Sequence, residues 1–584
     1  MKWDLTKLYS NFDDPKYAED IQTLQKKAEA MLERARNFDG SALQLKEIIR
    51  GTEEMTILEM KVNSFAFLTV AADAANEKAL AACDRLRPIG NISDQYISAL
   101  SAKLGAMEDL EAIIASDELL VAHGYLIRKL AKRAQHVIDP VLEPIVLKMQ
   151  MTGGAAWSQL RGQLDSGLMI DFEEDGNTVK LPLSAIRGKA YSADADVRRR
   201  AYEAEIAAYP RVETAMAACL NGIKGEARTM AELKHFDSVL DMALDTGNMD
   251  RETLDALIAA MKESLPMFRR YMRLKAKMLG YDGGLKFYDL FAPMGGADKV
   301  YTPEEARKLM VDVLGAFSPR MGHMIDRAFD ERWIDLFPRE GKRGGAFCSG
   351  MPPLGISYVL TNYEGSYSSV STLAHELGHA YHNECMRDVP VLMTDYPMPL
   401  AETASIFNET LMGEKLLEGA DKQTRIAMLE QQLGDGCQVI VDILSRYLFE
   451  YEVVERRKDR TLSASELKQI MLDAQRETYG DGLDPDCMHP YMWACKPHYY
   501  STGVHFYNFP YAFGQLFALG VYAMYEKNGD TFLPVYEKLL QSAGSGDVRE
   551  VAQSVGIDVA DINFWRSSLS VFERKLKELE DCVG

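Results

Sequence analysis

The sequence predicts a mainly α-helical protein, and three observations carry that expectation. Apolar residues recur at spacings of four and three: Tyr17, Ile21, Leu24, Ala28, Met31 and Ala35 form one stripe through residues 16–37, with Lys and Glu between them. The same period returns at 194–209, 251–279, 303–317, 421–456 and 530–543. No Pro/Ser-rich linker and no repeat of fixed period interrupts these stretches.

Bulk properties narrow the class. A chain of 584 residues has room for roughly four domain-sized units, although large helical proteins often fold as one body. It is 47% hydrophobic and 26% charged, an ordinary globular composition. The formal charge of -21 argues against nucleic acid as a partner, because a phosphate backbone needs a basic footprint. Eight scattered cysteines form no C-x-x-C pair. They read as reduced thiols of a cytoplasmic protein. The opening "MKWDLTKLYSNFDD" lacks the basic and apolar regions of a signal peptide. The longest apolar run, Phe509 to Tyr525, contains Pro510, Gly514 and Gln515 and is expected as a buried helix rather than a membrane span.

In chain order, "LMIDFEEDGNTVKLPL" (168–183) reads as a β-hairpin turning at Asp175-Gly176-Asn177. The next helix opens after Ser192, with Asp194 and Asp196 in its first turn. A boundary is therefore placed near 190. It separates an N-terminal helical lobe with a hairpin (1–190) from the rest (191–584). Two short strands follow, 344–349 and 355–362, flanking "GMPPLG". "EGSYSSV" then supplies serine N-caps for a helix over about 369–386.

That helix holds "HELGH" (375–379). Positions i and i+4 share a helix face, so His375 and His379 can point at one ion. Glu376 lies about 100° round the helix. It flanks the metal, and from there it can take a proton from the attacking water and pass it to a leaving amine. Two ligands and a general base in five residues form the zinc metalloprotease motif. Chance would supply about 0.01 such occurrences in a chain of this composition.

A catalytic zinc takes three protein ligands and leaves one position open. His382 continues the stripe but lies about 10 Å along the axis from His375, too far to share an ion with it. It is either a cleft-lining residue or a satisfied helix histidine. Glu384 is on the wrong side of the helix. Downstream, "MPLAETASIFNETLM" (398–412) would, if helical, put Glu402, Ile406 and Glu409 on one face. Glu402 follows His379 by 23 residues, enough for an antiparallel return, and is favoured over other nearby acidic residues as the third ligand. Glu409 is then a candidate to orient an imidazole. The other reading is two exposed helix carboxylates.

"KPHYYSTGVHFYNFPYAFG" (496–514) packs His498, His505, Tyr499, Tyr500, Tyr507 and Tyr511 into nineteen residues. Histidine N–H or tyrosine O–H groups can stabilise the oxyanion that peptide hydrolysis develops. An aromatic core segment is the alternative, and it is the preferred one for Tyr499 and Phe513.

"HELGHAYH", "AETASIFNE" and "PHYYSTGVHFYNFPYAFG", with "WDLTKLYSNFDDPKY" and "GGAFCS…YVLTNYEGSYSSVSTLAHELGHA", resemble the oligoendopeptidase F branch of the thimet-oligopeptidase-like zinc peptidases over nearly the whole chain. The resemblance implies a two-lobed helical metallopeptidase with a deep central channel and a small sheet beside the active-site helix. It implies one Zn2+ per chain and oligopeptide substrates cut internally. His375, His379 and Glu402 would be the ligands and Glu376 the general base. His498 matches the histidine that helps bind the substrate carbonyl, and Tyr507 is the best match for the transition-state tyrosine, with Tyr500 and Tyr511 still candidates. Gly345, Ala346 and Phe347 resemble the strand along which substrate pairs. Two rivals stay open. One is a zinc exopeptidase, either an aminopeptidase or a dipeptidyl carboxypeptidase. The other is a non-catalytic peptide-binding protein with a structural metal. The sequence leaves oligomeric state open.

Overall fold

The structure, a computed structural model, describes residues 1–139, 141–174, 176–295 and 299–584. Helices dominate it, and they begin where short polar side chains can satisfy free backbone N–H groups. Asp14 accepts from the Lys16 N–H and opens Pro15–Arg36, which buries the predicted stripe from Tyr17 to Ala35. Thr302 and Glu305 close a reciprocal capping box at the start of Pro303–Phe317. The predicted helix over 421–456 is interrupted. Lys422–Cys437 and Ile443–Arg456 are joined by a π-helical turn, Gln438–Asp442. There the buried Asp442 pairs with Arg446 and accepts from the Tyr479 hydroxyl at 3.2 Å. The stretch 530–543 opens as a 3-10 turn and continues as the helix Leu533–Ser542.

Five strands form two sheets. The hairpin strands β1 (Met169–Glu174) and β2 (Asn177–Pro182) pair antiparallel from Met169↔Pro182 to Glu174↔Asn177. Asp175, expected in their turn, lies outside the described residues. The second sheet has the order β3 (Ile334–Asp335), β5 (Ile356–Leu360), β4 (Phe347–Met351). β5 runs parallel to β3 and antiparallel to β4, so β4 is an edge. The strand predicted at 344–349 thus starts three residues later. Gly355, with φ +61°, makes the left-handed turn between β4 and β5.

Packing divides the chain into two compact units that are not sequential blocks. The first comprises Met1–Val137, Asp298–Glu418 and Met524–Ile557; the second comprises Ile138–Ala297, Gly419–Ala523 and Asp558–Gly584. Residue 190 lies inside the second unit. In the first unit, Pro15–Arg36, Ala42–Ala72 and Glu77–Gly105 pack on one another, and the helix Tyr367–Cys385 packs on β4, β5 and the helix Thr403–Glu418. In the second, Ile562–Val583 packs against Arg251–Met278 and Lys422–Cys437. By length and composition alone, Ala42–Ala72 could cross a membrane. The apolar run at 509–525 is a helix, Phe509–Asn528, that buries Phe513, Leu516, Phe517 and Val521.

Candidate metal centre

Ser366 accepts the Ser369 N–H and caps Tyr367–Cys385, the helix that carries the two motif histidines. Its burial pattern explains its placement. Val370, Leu373, Ala374, Leu377 and Tyr381 are buried. The Tyr381 hydroxyl donates to Glu537 at 2.6 Å and meets Ser318 at 2.9 Å, which ties the helix into the first unit. Gly378 lies against the partner segment: a Cβ there would come within 2.6 Å of the Ala404 oxygen and of the Ser405 Cα. The Asn408 amide spans the same contact, donating to the Ala374 oxygen at 3.3 Å.

This close approach brings the third carboxylate in. Glu402 ends the short helix Met398–Ala401, immediately before Thr403–Glu418 begins. It therefore sits at a break rather than within the continuous helix that its spacing suggested. Ser405 donates to its Oε2 at 2.7 Å. The same Oε2 lies 3.3 Å from His375 Nε2 and 3.5 Å from His379 Nε2. One potential ligand atom from each of His375, His379 and Glu402 falls within 4.8 Å of the others. Ligand bonds of about 2.0–2.2 Å at tetrahedral angles place donor atoms about 3.3–3.6 Å apart, so both Glu402–histidine separations suit a zinc-sized ion. Glu409, two turns further along, accepts from His375 Nδ1 at 3.2 Å. That bond fixes the ring and leaves Nε2 aimed at Glu402.

The electrostatics follow from burial and these contacts. Burial opposes a charge on His375, but its bonds to Glu402 and Glu409 prevail and raise its pKa to about 10. Burial would raise Glu402, yet the two histidines and Ser405 hold it down at about 2. His379, without a comparable bond, is pushed down by burial to about 4. Burial, reinforced by the nearby Glu402 and Glu409, lifts Glu376 to about 7, where a carboxyl can both hold and release a proton near neutrality.

A cavity of about 420 Å³ joins these groups. His375, Glu376, His379, Ala401 and Glu402 form one side, and Ala346, Phe347, Cys348 and Gly350 bring in the sheet edge. Gly345 has φ +78°, and its carbonyl accepts from the Asn362 amide at 2.8 Å, which pins the approach to β4. The Phe347 ring lies 5.3 Å from that of Phe67. Sequence reasoning did not single out Asn383 or Tyr396, which also line the cavity. Asn383 sits four residues after His379, so helical spacing alone could have flagged it. Tyr396 comes from a connecting segment that carries no such period. His382, fully buried, answers to the packed reading: its Nε2 donates to the Leu540 oxygen at 3.1 Å, and its ring stacks on Tyr396 at 4.2 Å. Burial of its ring keeps it out of substrate reach.

In the second unit, His498 stacks on Tyr507 at 5.7 Å, with Tyr511 edge-on to both. Tyr507 is carried on a strained turn. Phe506 adopts φ +53°, held by its N–H donating to Glu450 Oε1 at 3.0 Å. Glu450 is itself paired with the buried Lys224 at 2.5 Å. Tyr500 does not join this group. It is buried, and the Arg161 guanidinium lies 5.2 Å from its ring centroid. Tyr499 is buried against Phe449, the core role expected for it.

Comparison with known proteins gives this arrangement its context. Residues 189–571 match the profile of peptidase family M3.

The chain belongs to peptidase family M3.

Its relatives include the group B oligopeptidase PepB of Streptococcus agalactiae, 27% identical over 82% of this chain and 79% of that protein. Oligopeptidase PepF of Bacillus subtilis is 26% identical over 85% and 75%, respectively. The chromosomal oligoendopeptidase F of Lactococcus lactis is 30% identical over 67% of this chain and 65% of that protein. These relatives bear out the resemblance to the oligoendopeptidase F branch. Among solved structures, the fold matches a chain from Chlamydophila abortus with a TM-score of 0.87 at 24% identity, covering 100% of this chain and 98% of that one. It matches oligoendopeptidase-F from Enterococcus faecium with a TM-score of 0.69 at 20% identity, covering 97% and 99%. The M3 chain is a mainly helical peptidase with small sheets.

Proposed function

We propose that this M3 peptidase is a zinc-dependent endopeptidase that hydrolyses internal bonds of oligopeptides. The observation that carries the proposal is the convergence of His375, His379 and Glu402 in one cavity with Glu376 beside them. Two imidazoles and one carboxylate suit a catalytic zinc, which keeps an open position. A bound zinc would supply Lewis-acid polarisation of a peptide carbonyl and acidify water.

The chain's own residues perform the rest. His375, His379 and Glu402 would hold the ion, and Glu409, which faces His375 Nδ1, keeps that ring turned so that its Nε2 is the atom left for ligation. Glu376, beside the two histidines in the same cavity, takes a proton from the attacking water and delivers it to the departing amine nitrogen. The β4 edge, approached through Gly345, Ala346 and Phe347, offers main-chain groups to an extended peptide, which binds a backbone with little regard for side chains. His498 and Tyr507 are assigned, on the family resemblance, as donors to the carbonyl oxygen, with Tyr511 as the alternative tyrosine. Eight free thiols support a cytoplasmic setting.

A structural metal has no use for a flanking base, so Glu376 favours catalysis over a binding-only role. Mass spectrometry of a peptide-library digest tests the proposal when run on native protein, after chelation and after zinc is restored. Internal cleavage that is lost and then recovered is expected. Release of single residues or dipeptides from free termini only, abolished by blocking the ends, would replace the endopeptidase reading with an exopeptidase one.

A further inference from the structure

The metal cavity is lined by two polar side chains that hydrolysis does not use, Asn383 and Tyr396. Along β4, residues alternate between faces. Cys348 and Gly350 belong to the face that meets the helix Tyr367–Cys385, because the Asn383 carboxamide lies in direct contact with the position where a Gly350 Cβ would stand. Asn383 and Tyr396 both line the cavity there. Neither side chain has a hydrogen-bond partner among the described residues, and neither is sealed from solvent. Two polar groups with unused bonding capacity therefore open into a space lined by the sheet edge and the metal-binding residues.

The Tyr396 ring is held in place. It stacks on His382 with ring centroids 4.2 Å apart and planes 10° apart, and His382 is locked by its bond to the Leu540 oxygen. Asn383 follows His382 directly, so the last turns of one helix both support the tyrosine and supply its companion. Burial pushes the Tyr396 phenol well above its ordinary pKa, so it stays protonated and donates. Asn383 can donate and accept. Neither Tyr396 nor Asn383 carries a charge, so neither offers an ion-pair partner to a charged side chain. Because a peptide on the β4 edge points every second side chain toward this face, one of them enters the space.

We propose that Tyr396 and Asn383 form a specificity subsite that hydrogen-bonds a neutral polar side chain, a carboxamide or hydroxyl, of a peptide lying along β4. This rests on the endopeptidase reading above. Tyr396→Phe keeps the ring and its stack and removes only the hydroxyl. Asn383→Leu keeps the volume and removes both bonding groups. The test is a matched set of quenched peptides carrying Gln, Asn or Ser against Leu or Met at each position flanking one scissile bond.

Wild-type protein should prefer a polar residue at one position. Each variant should reduce that polar-to-apolar ratio in kcat/KM about tenfold, the effect of one hydrogen bond. A purely structural role would slow every peptide alike and leave the ratio unchanged, and that result overturns the proposal. So does a wild-type preference for Leu or Met at every position. Affinity of the same peptides for Glu376→Gln protein, alone and combined with each variant, reads the ratio without turnover. If no peptide is cleaved, the endopeptidase reading fails, while the affinity ratio still decides the subsite: its loss in the variants supports the proposal and its persistence ends it.

Discussion

Gly378 sets the distance on which the metal centre depends, and Gly378→Ala measures that dependence. An added Cβ would stand 2.6 Å from the Ala404 oxygen and the Ser405 Cα and 2.8 Å from the Ala404 carbonyl carbon. All three are backbone atoms, so no side chain can swing aside. Ordinary contact begins at 3.4 Å, and the two segments must part by 3.4 minus 2.6, or about 0.8 Å. Glu402 stands directly before Thr403 and moves with that backbone. Metal sites tolerate shifts of about 0.2 Å in ligand distance, so the displacement is about fourfold too large. Zinc affinity should fall about 10–100-fold, the range found when supporting groups are lost. Overpacking should cost about 3 kcal/mol of stability. Competition against a chromophoric chelator reads the first effect, and denaturant unfolding followed by circular dichroism reads the second. Gly419→Ala serves as the control, because its Cβ meets nothing within 4 Å. A folded Gly378→Ala protein with wild-type zinc affinity would refute the claim that helix approach places Glu402.

Other outcomes follow from the same structure. Glu376→Gln should retain zinc, measured by metal analysis, and lose about 10²–10⁴-fold in kcat, measured with a quenched peptide. Glu409→Ala removes the acceptor for His375 Nδ1 and should weaken zinc binding about 10–100-fold without unfolding the chain, as chelator competition would show. Lys224→Met strands Glu450 as an unpaired buried carboxylate and should cost about 3–5 kcal/mol in urea unfolding. His505 tests pH dependence. Burial, aided by the nearby Lys224, pushes it down to about 3, so it is neutral in the fold while the unfolded chain takes up a proton below about 6.5. Its stability contribution is intact above about 6.5 and declines as pH falls from there toward about 3. Between pH 7.5 and 5.0, wild type should lose about 2 kcal/mol more than His505→Gln, and equal losses in the two proteins would contradict this.

Local patterns were legible because they depend only on chain geometry. The i, i+4 spacing of His375 and His379 and the stripe from Tyr17 to Ala35 both follow from 3.6 residues per turn. They hold in the structure. So does the sheet beside the motif helix, although β4 begins at Phe347 rather than residue 344. The helix across 421–456 was less legible, because a π-helical turn at Gln438–Asp442 leaves the apolar period almost unchanged. His382 fits its helix stripe equally well as a cleft or core residue, and only its stack on Tyr396 and its bond to Leu540 separate the two.

What the sequence determined by itself is therefore the helical class, the paired imidazoles with their adjacent carboxyl, and the family these residues announce. Tertiary structure alone decided that Glu402 stands at a helix break 3.3 Å from His375, that Tyr396 and Asn383 share its cavity, and that each compact unit draws on three separate stretches of chain. The physical reason is range. Period and capping act within a turn or two of chain, whereas these placements depend on contacts such as Gly378 against Ala404, between residues that sequence spacing does not relate.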